Sequence, residues 1–245
     1  MKPQLVLCMA LFLLGSCQST KTADPTNEPE TAVIVDTPSI LESRDTPKTV
    51  VKKYPQTHDT AAWVDVSFLD PTVVIDMRYA TTNNFVNEKM YECGRCFLRK
   101  EVAEAMLTAH KQLQEQGYGG LKMFDCYRPR PIQQKLWDKV PNPSYVTPPS
   151  RGSMHNRGAA VDLTIVDSTG TELDMGTEFD YFGKEAHHTY TEHSDTIQTN
   201  RDLLKSTMES VGFSSIRTEW WHYSFKGKSY QLSDMLWDCD LLNEE

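Results

Sequence analysis

The stretch 159–166, Ala-Ala-Val-Asp-Leu-Thr-Ile-Val, is apolar enough to be a buried strand, yet Asp162 sits in its middle. An unpaired carboxylate is expensive to bury, so this position needs a cationic partner or a metal ion. Side chains alternate along a strand. Val161, Leu163 and Ile165 therefore share one face, and Asp162 and Thr164 share the other. A fold built around this strand has to bury the first face and turn the second towards a cleft. His155 precedes the strand across Asn156-Arg157-Gly158, and a glycine there lets the chain turn back and bring His155 over Asp162. Taken alone, the segment fits either a metal site or a loop histidine beside a carboxylate paired with an arginine.

A second segment, Glu219-Trp220-Trp221-His222, adds to the first. Positions three apart in a regular strand point to opposite faces. A bulge or tight turn at Trp220-Trp221 is needed to aim both polar residues into one site. Otherwise they are a surface glutamate and a core histidine. Together the segments supply two histidines, one aspartate and a further glutamate. Two imidazoles and a carboxylate leave one position of a tetrahedral zinc site open for chemistry. Glu219 would be the base beside it. The adjacent pair His187-His188 reads as a surface or lid feature, because neighbouring residues rarely ligate one ion together.

Periodicity places the elements. Residues 61–79 read as β structure, with Val73, Ile75 and Met77 alternating with Val74, Asp76 and Arg78. Residues 80–96 read as irregular. Val102, Met106, Ala109 and Leu113 predict a helix over 99–116, ended by Gly117. A strand over 121–125, a helix from Pro131 to Val140 and a proline-rich loop over 141–149 follow. The strand at 159–166 is expected to be followed by a turn and a return strand at 171–174. A helix over 201–211 and an aromatic strand over 219–225 complete the chain. Helices and strands mix without a βαβ rhythm, so the expected fold is α+β, a mainly antiparallel sheet flanked by helices.

The N-terminal part is of another kind. Residues 1–16 read as a signal peptide: Lys2 precedes an apolar run, Leu5–Leu14, too short to span a bilayer. Leu14-Gly15-Ser16-Cys17 resembles the bacterial lipobox, which implies a lipid on Cys17 and a membrane-anchored protein in the periplasm or at the cell surface. An ordinary secretory signal is the alternative. Residues 17–60 are polar, with no aromatic before Tyr54, and read as a flexible tether. Residues 61–245 are left as the folded domain. Export leaves Cys93, Cys96, Cys126 and Cys239 in an oxidising compartment. Three pairings are open to them. Cys96–Cys126 with Cys93–Cys239 is the expected one, since a bridge within Cys93-Gly-Arg-Cys96 closes a very small loop. The formal net charge of −9 argues against a nucleic-acid partner.

Ser153-x-His155-x-x-Gly158-x-Ala160-x-Asp162 together with Glu219-x-x-His222 resembles the zinc D,D-peptidases. That family includes VanX-type D-alanyl-D-alanine dipeptidases, D,D-carboxypeptidases and the hedgehog signalling domain. Arg78-Tyr-Ala-Thr-Thr-Asn-Asn-Phe85, Asp125-Cys-Tyr-Arg-Pro129, Met175-Gly-Thr-Glu-Phe-Asp180 and Glu219-Trp-Trp-His-Tyr223 resemble the dipeptidase branch. The resemblance covers about residues 61–230. It implies a hedgehog/D,D-peptidase-like fold and one Zn2+ per chain on His155, Asp162 and His222. It also implies Glu219 as general base and Arg128 as the group that steadies the oxyanion, where a structural ion pair of Arg128 with Asp125 or Asp162 is the alternative. Asp180 would meet the ammonium of a dipeptide, and Ser153 and Tyr79 would lie beside its carboxylate end. The implied activity is hydrolysis of D-alanyl-D-alanine in cell-wall dipeptide turnover. The alternatives are a D,D-carboxypeptidase or endopeptidase acting on peptidoglycan stem peptides, and a zinc-bound binding module without catalysis.

Overall fold

A computed structural model describes residues 62–237 and Cys239; the expected signal peptide, Cys17 and the tether lie outside these residues. In chain order the elements are β1 (Trp63–Asp65), α1 (Val66–Leu69), β2 (Val74–Ile75), β3 (Phe97–Arg99), α2 (Lys100–Glu115), β4 (Gly120–Asp125) and α3 (Arg130–Lys139). They are followed by β5 (Ala160–Val166), α4 (Asp195–Ser210), β6 (Phe213–Ile216) and β7 (Glu219–Phe225). Single 3-10 turns lie at Arg78–Ala80, His155–Arg157 and Lys184–Ala186.

The strand that carries Asp162 is β5, and every residue of it is buried. It is the middle strand of a five-stranded sheet of order β2-β4-β5-β7-β6. All neighbours pair antiparallel except β2 and β4, which are parallel. A separate ribbon pairs β1 with β3. Helix α2 packs on β4, α4 packs on β6 and β7, and the two helices touch each other. The spacing predicts the buried face of α2 well: Val102, Met106, Ala109 and Leu113 all lie in the core. They meet Val161, Leu163 and Ile165 of β5 and Leu121 and Met123 of β4 in one apolar cluster. The fold is thus α+β with a mainly antiparallel sheet, as expected.

Three local expectations are corrected. Residues 61–79 are not continuous β structure, because the Asp65 carboxylate accepts the Ser67 amide at 3.1 Å and starts the short helix α1. The return strand at 171–174 is reduced to one bridge between Val166 and Glu172. The Asp167 carboxylate takes the Thr169 and Thr171 amides, and this side-chain turn competes with a strand ladder. Helix α4 starts at Asp195 rather than near Arg201, with Ser194 as its cap. Strands β3 and β6 carry no clear periodic signal and were not anticipated.

Both expected disulfides are present, Cys96–Cys126 and Cys93–Cys239. The first lies wholly inside the core. The second ties the C-terminal residues to the segment after the Arg78–Ala80 turn.

Candidate active site

Strand register builds the centre of the site. Asp162 of β5 lies opposite Asp125 of β4 on one side and opposite His222 of β7 on the other. Three polar residues from three strands therefore form one row across the sheet. Two irregularities make the row possible. Between Met123 and Asp125 the register of β4 shifts, leaving Phe124 as an extra residue. In β7, Tyr223 faces Ser215 while Glu219 faces Ile216, so residues 220–222 bulge relative to β6. This is the bulge at the tryptophan pair that the sequence required, and it turns Glu219 and His222 towards the same cavity.

His155 arrives from the turn before β5. Gly158 ends that turn at φ 66°, and a Cβ there would sit 2.2 Å from the Trp63 ring. A left-handed residue with no room for a side chain can only be glycine. His155 Nε2 comes within 3.4 Å of Asp162 Oδ2, and His222 Nδ1 within 2.9 Å of Asp162 Oδ1.

The donor set fits a divalent cation. One atom from each of His155, Asp162 and His222 lies within 4.8 Å of the others. His155 Nδ1 donates to the Cys126 carbonyl at 2.7 Å, which leaves the Nε2 lone pair pointing inwards. His222 Nε2 meets Ser224 Oγ at 3.0 Å, which leaves Nδ1 pointing inwards. Such outer partners fix ring orientation at metal sites. The two inward nitrogens lie 3.1 Å apart; a cation shared by their lone pairs satisfies both. Burial opposes charge on His155, but the Asp162 carboxylate beside it raises its pKa above the ordinary value. Burial works against ionised Asp162 too, and His155 and His222 more than offset it, holding its pKa far below the usual carboxylate range.

Other predicted residues line the same cavity of about 350 Å3. Burial raises the Glu219 carboxyl above its ordinary pKa. Arg128 is 8% exposed and borders the cavity while it is also ion-paired: Nη2 and Nε donate to Asp125 Oδ2 at 2.6 and 3.0 Å. The alternative weighed for Arg128 is therefore realised with Asp125, and it does not withdraw the guanidinium from the cavity. Burial disfavours its charge, but Asp125 outweighs that and keeps it protonated. Asp180 holds a left-handed backbone at φ 62°, a strained setting for a non-glycine residue. Burial raises its pKa well above the ordinary carboxyl value, and the Tyr79 hydroxyl donates to it at 3.0 and 3.2 Å. Ser153 presents a buried hydroxyl with no hydrogen-bond partner among the described residues. His188 is half-buried rather than a plain surface group.

Sequence reasoning missed the supports. Gln133 Oε1 accepts from Arg128 Nη1 at 3.0 Å, Asn156 Nδ2 donates to the Arg128 carbonyl at 2.7 Å, and the Tyr91 hydroxyl donates to Asp125 Oδ1 at 2.9 Å. Only Asp125 carried a signal, its position three residues before Arg128.

Residues 59–236 match the family model described as D-ala-D-ala dipeptidase, peptidase M15. The D-alanyl-D-alanine dipeptidase of Escherichia coli K12 is 35% identical over 182 residues, covering 74% of this chain and 94% of the relative. The dipeptidase of Enterococcus faecium is 33% identical, over 63% of this chain and 87% of the relative. That of Streptomyces coelicolor is 32% identical, over 66% and 92%.

Proposed function

Because the chain belongs to the D-Ala-D-Ala dipeptidase family of M15 peptidases, we propose that its cavity hydrolyses D-alanyl-D-alanine to D-alanine. The observation that carries this is the convergence of His155, Asp162 and His222 within 4.8 Å in a cavity that Glu219, Arg128 and Asp180 also line. His155, Asp162 and His222 would hold one zinc ion. Zinc bound there supplies Lewis acidity, lowering the pKa of a water and polarising a carbonyl.

The chain's own residues do the rest. A carboxylate raised by burial is suited to proton transfer near neutral pH. Glu219 takes the proton of the attacking water and later delivers it to the leaving amine nitrogen. Arg128, fixed and charged, faces the oxygen on which negative charge develops. Asp180 lies in a sheltered wall where ionisation is costly, so it favours a cationic ligand, the free ammonium of a dipeptide. The unpartnered Ser153 hydroxyl is free to donate to the substrate carboxylate, whereas the Tyr79 hydroxyl, expected at that same end, donates to Asp180 and so serves the ammonium end.

The same reading has the mature chain exported and tethered through lipid on Cys17, its substrate drawn from cell-wall turnover. The two disulfides support an oxidising location, and the Leu14-Gly15-Ser16-Cys17 pattern supports the anchor.

The test is D-alanine release from D-Ala-D-Ala by the purified protein, with L-Ala-L-Ala and a D-Ala-D-Ala-terminated stem peptide beside it. Turnover of the free D,D-dipeptide alone, abolished by a chelator and restored by zinc, is expected. Preference for the stem peptide would replace this reading with a carboxypeptidase.

A further inference from the structure

The Arg128 guanidinium has five N–H donors. Two go to Asp125 Oδ2 and one goes to Gln133 Oε1, which leaves two for whatever enters the cavity. Where those two point is set by Asp125 together with Gln133, and Asp125 has little freedom of its own. It is fully buried, and its second oxygen accepts from Tyr91 at 2.9 Å. The Tyr91 amide also donates to the Tyr79 carbonyl at 3.0 Å, and the Tyr79 ring lies 4.9 Å from the Arg128 guanidinium carbon. Tyr91 thus braces two of the neighbours of Arg128, Asp125 and Tyr79, and is not among the residues lining the cavity.

Tyr91 is held in turn by the end of the described chain. The Trp237 ring packs 5.2 Å from it, and the Cys93–Cys239 disulfide joins the residues flanking the two rings. The same segment reaches another support of Arg128. The Ser233 amide donates to the Asn156 carbonyl at 2.9 Å, and Asn156 holds the Arg128 carbonyl.

We propose that Tyr91 is a positioning residue for Arg128, acting through Asp125, and that the C-terminal strap of Ser233–Trp237 and Cys239 keeps Tyr91 in place. This rests on the reading of Arg128 as the group that meets the oxyanion. Loss of the brace leaves substrate binding and metal binding intact and lets the guanidinium move when charge develops. The cost therefore falls on kcat rather than KM.

The experiment measures kcat, KM and bound zinc for Tyr91→Phe, for the double variant Cys93→Ala/Cys239→Ala, and for each combined with Arg128→Ala. Tyr91→Phe removes one hydroxyl from a packed ring, so the fold is kept. We expect kcat to fall about tenfold, the scale of one lost charge-assisted hydrogen bond, with KM and zinc unchanged. We expect no further fall in the Arg128→Ala background. The disulfide variant should lower kcat in the same direction, and its effect should not multiply with that of Tyr91→Phe. An unchanged kcat in Tyr91→Phe, or the same loss with and without Arg128, overturns the proposal. Wild-type kcat in Arg128→Ala alone overturns the oxyanion reading beneath it, and that single variant tells the two failures apart.

Discussion

Glu219 and Asp180 are carboxylates on one cavity, both raised by burial, and their surroundings give them different work. Glu219 stands next to the ligand cluster and Asp180 next to Tyr79. Substituting Glu219→Gln should leave zinc bound, because the three ligand side chains keep their partners. Turnover should fall about 10²–10⁴-fold, the usual contribution of a positioned acid–base group. Metal analysis beside a kcat measurement checks both halves, and unaltered turnover would remove Glu219 from the mechanism. Asp180→Ala should act on binding instead. Truncating one partner of a sheltered charge pair costs about 2 kcal/mol or more. That is a fall of about thirtyfold in kcat/KM, carried mainly by KM. An Asp180→Ala variant with unchanged KM would show that the substrate ammonium lies elsewhere. These two residues stood out in the sequence as members of motifs. The supports of Arg128 did not, because a buried tyrosine such as Tyr91 or a helical glutamine such as Gln133 looks like ordinary packing until its partner is seen.

The elements aim these side chains, and one glycine shows how closely. Gly158 sits at φ 66° with the Trp63 ring where a Cβ would go. A Gly158→Ala substitution meets a left-handed penalty of roughly 1–2 kcal/mol and a clash that moves the turn carrying His155. Loss of about 2 kcal/mol or more by urea unfolding, together with weakened zinc retention on dialysis, is expected. A variant that binds zinc as the parent does would show that the turn is not what places His155. This turn was legible because a histidine, a glycine and a charged strand follow one another directly. Helix α2 and strands β5 and β7 were legible for a related reason, since each carries an apolar period across most of its length. The row Asp125–Asp162–His222 was not, because it depends on which strands become neighbours, and periodicity within a strand says nothing of that. Strands β3 and β6 are too short to show a period, and α1 and the start of α4 are set by the caps Asp65 and Ser194 rather than by an apolar face.

At the scale of the whole domain, cross-links and proton balance set how the structure persists. Cys96–Cys126 closes a separation of 30 residues inside the core. Replacing both cysteines by alanine should cost about 3–4 kcal/mol by the chain-entropy relation, read from denaturant unfolding at neutral pH; an unshifted midpoint would put that stability elsewhere. One part of the pH response comes from a histidine outside the site. His188 packs edge-on to Tyr223 and its Nε2 is buried without a partner among the described residues. Burial first, then the nearby Lys205 and Arg201, hold its pKa down to about 4, against the weaker pull of Glu209 and Asp202. An unfolded histidine titrates near 6.5. Between these values the unfolded chain binds a proton that the folded chain refuses, so stability is lost as pH falls from 6.5 towards 4. His188→Gln removes this contribution and leaves the carboxylates and the zinc ligands as they are. The gap in unfolding free energy between variant and parent should therefore shift in the variant's favour from pH 7 to pH 5. Parallel curves over that interval would mean that His188 takes up its proton in the fold as readily as in the open chain.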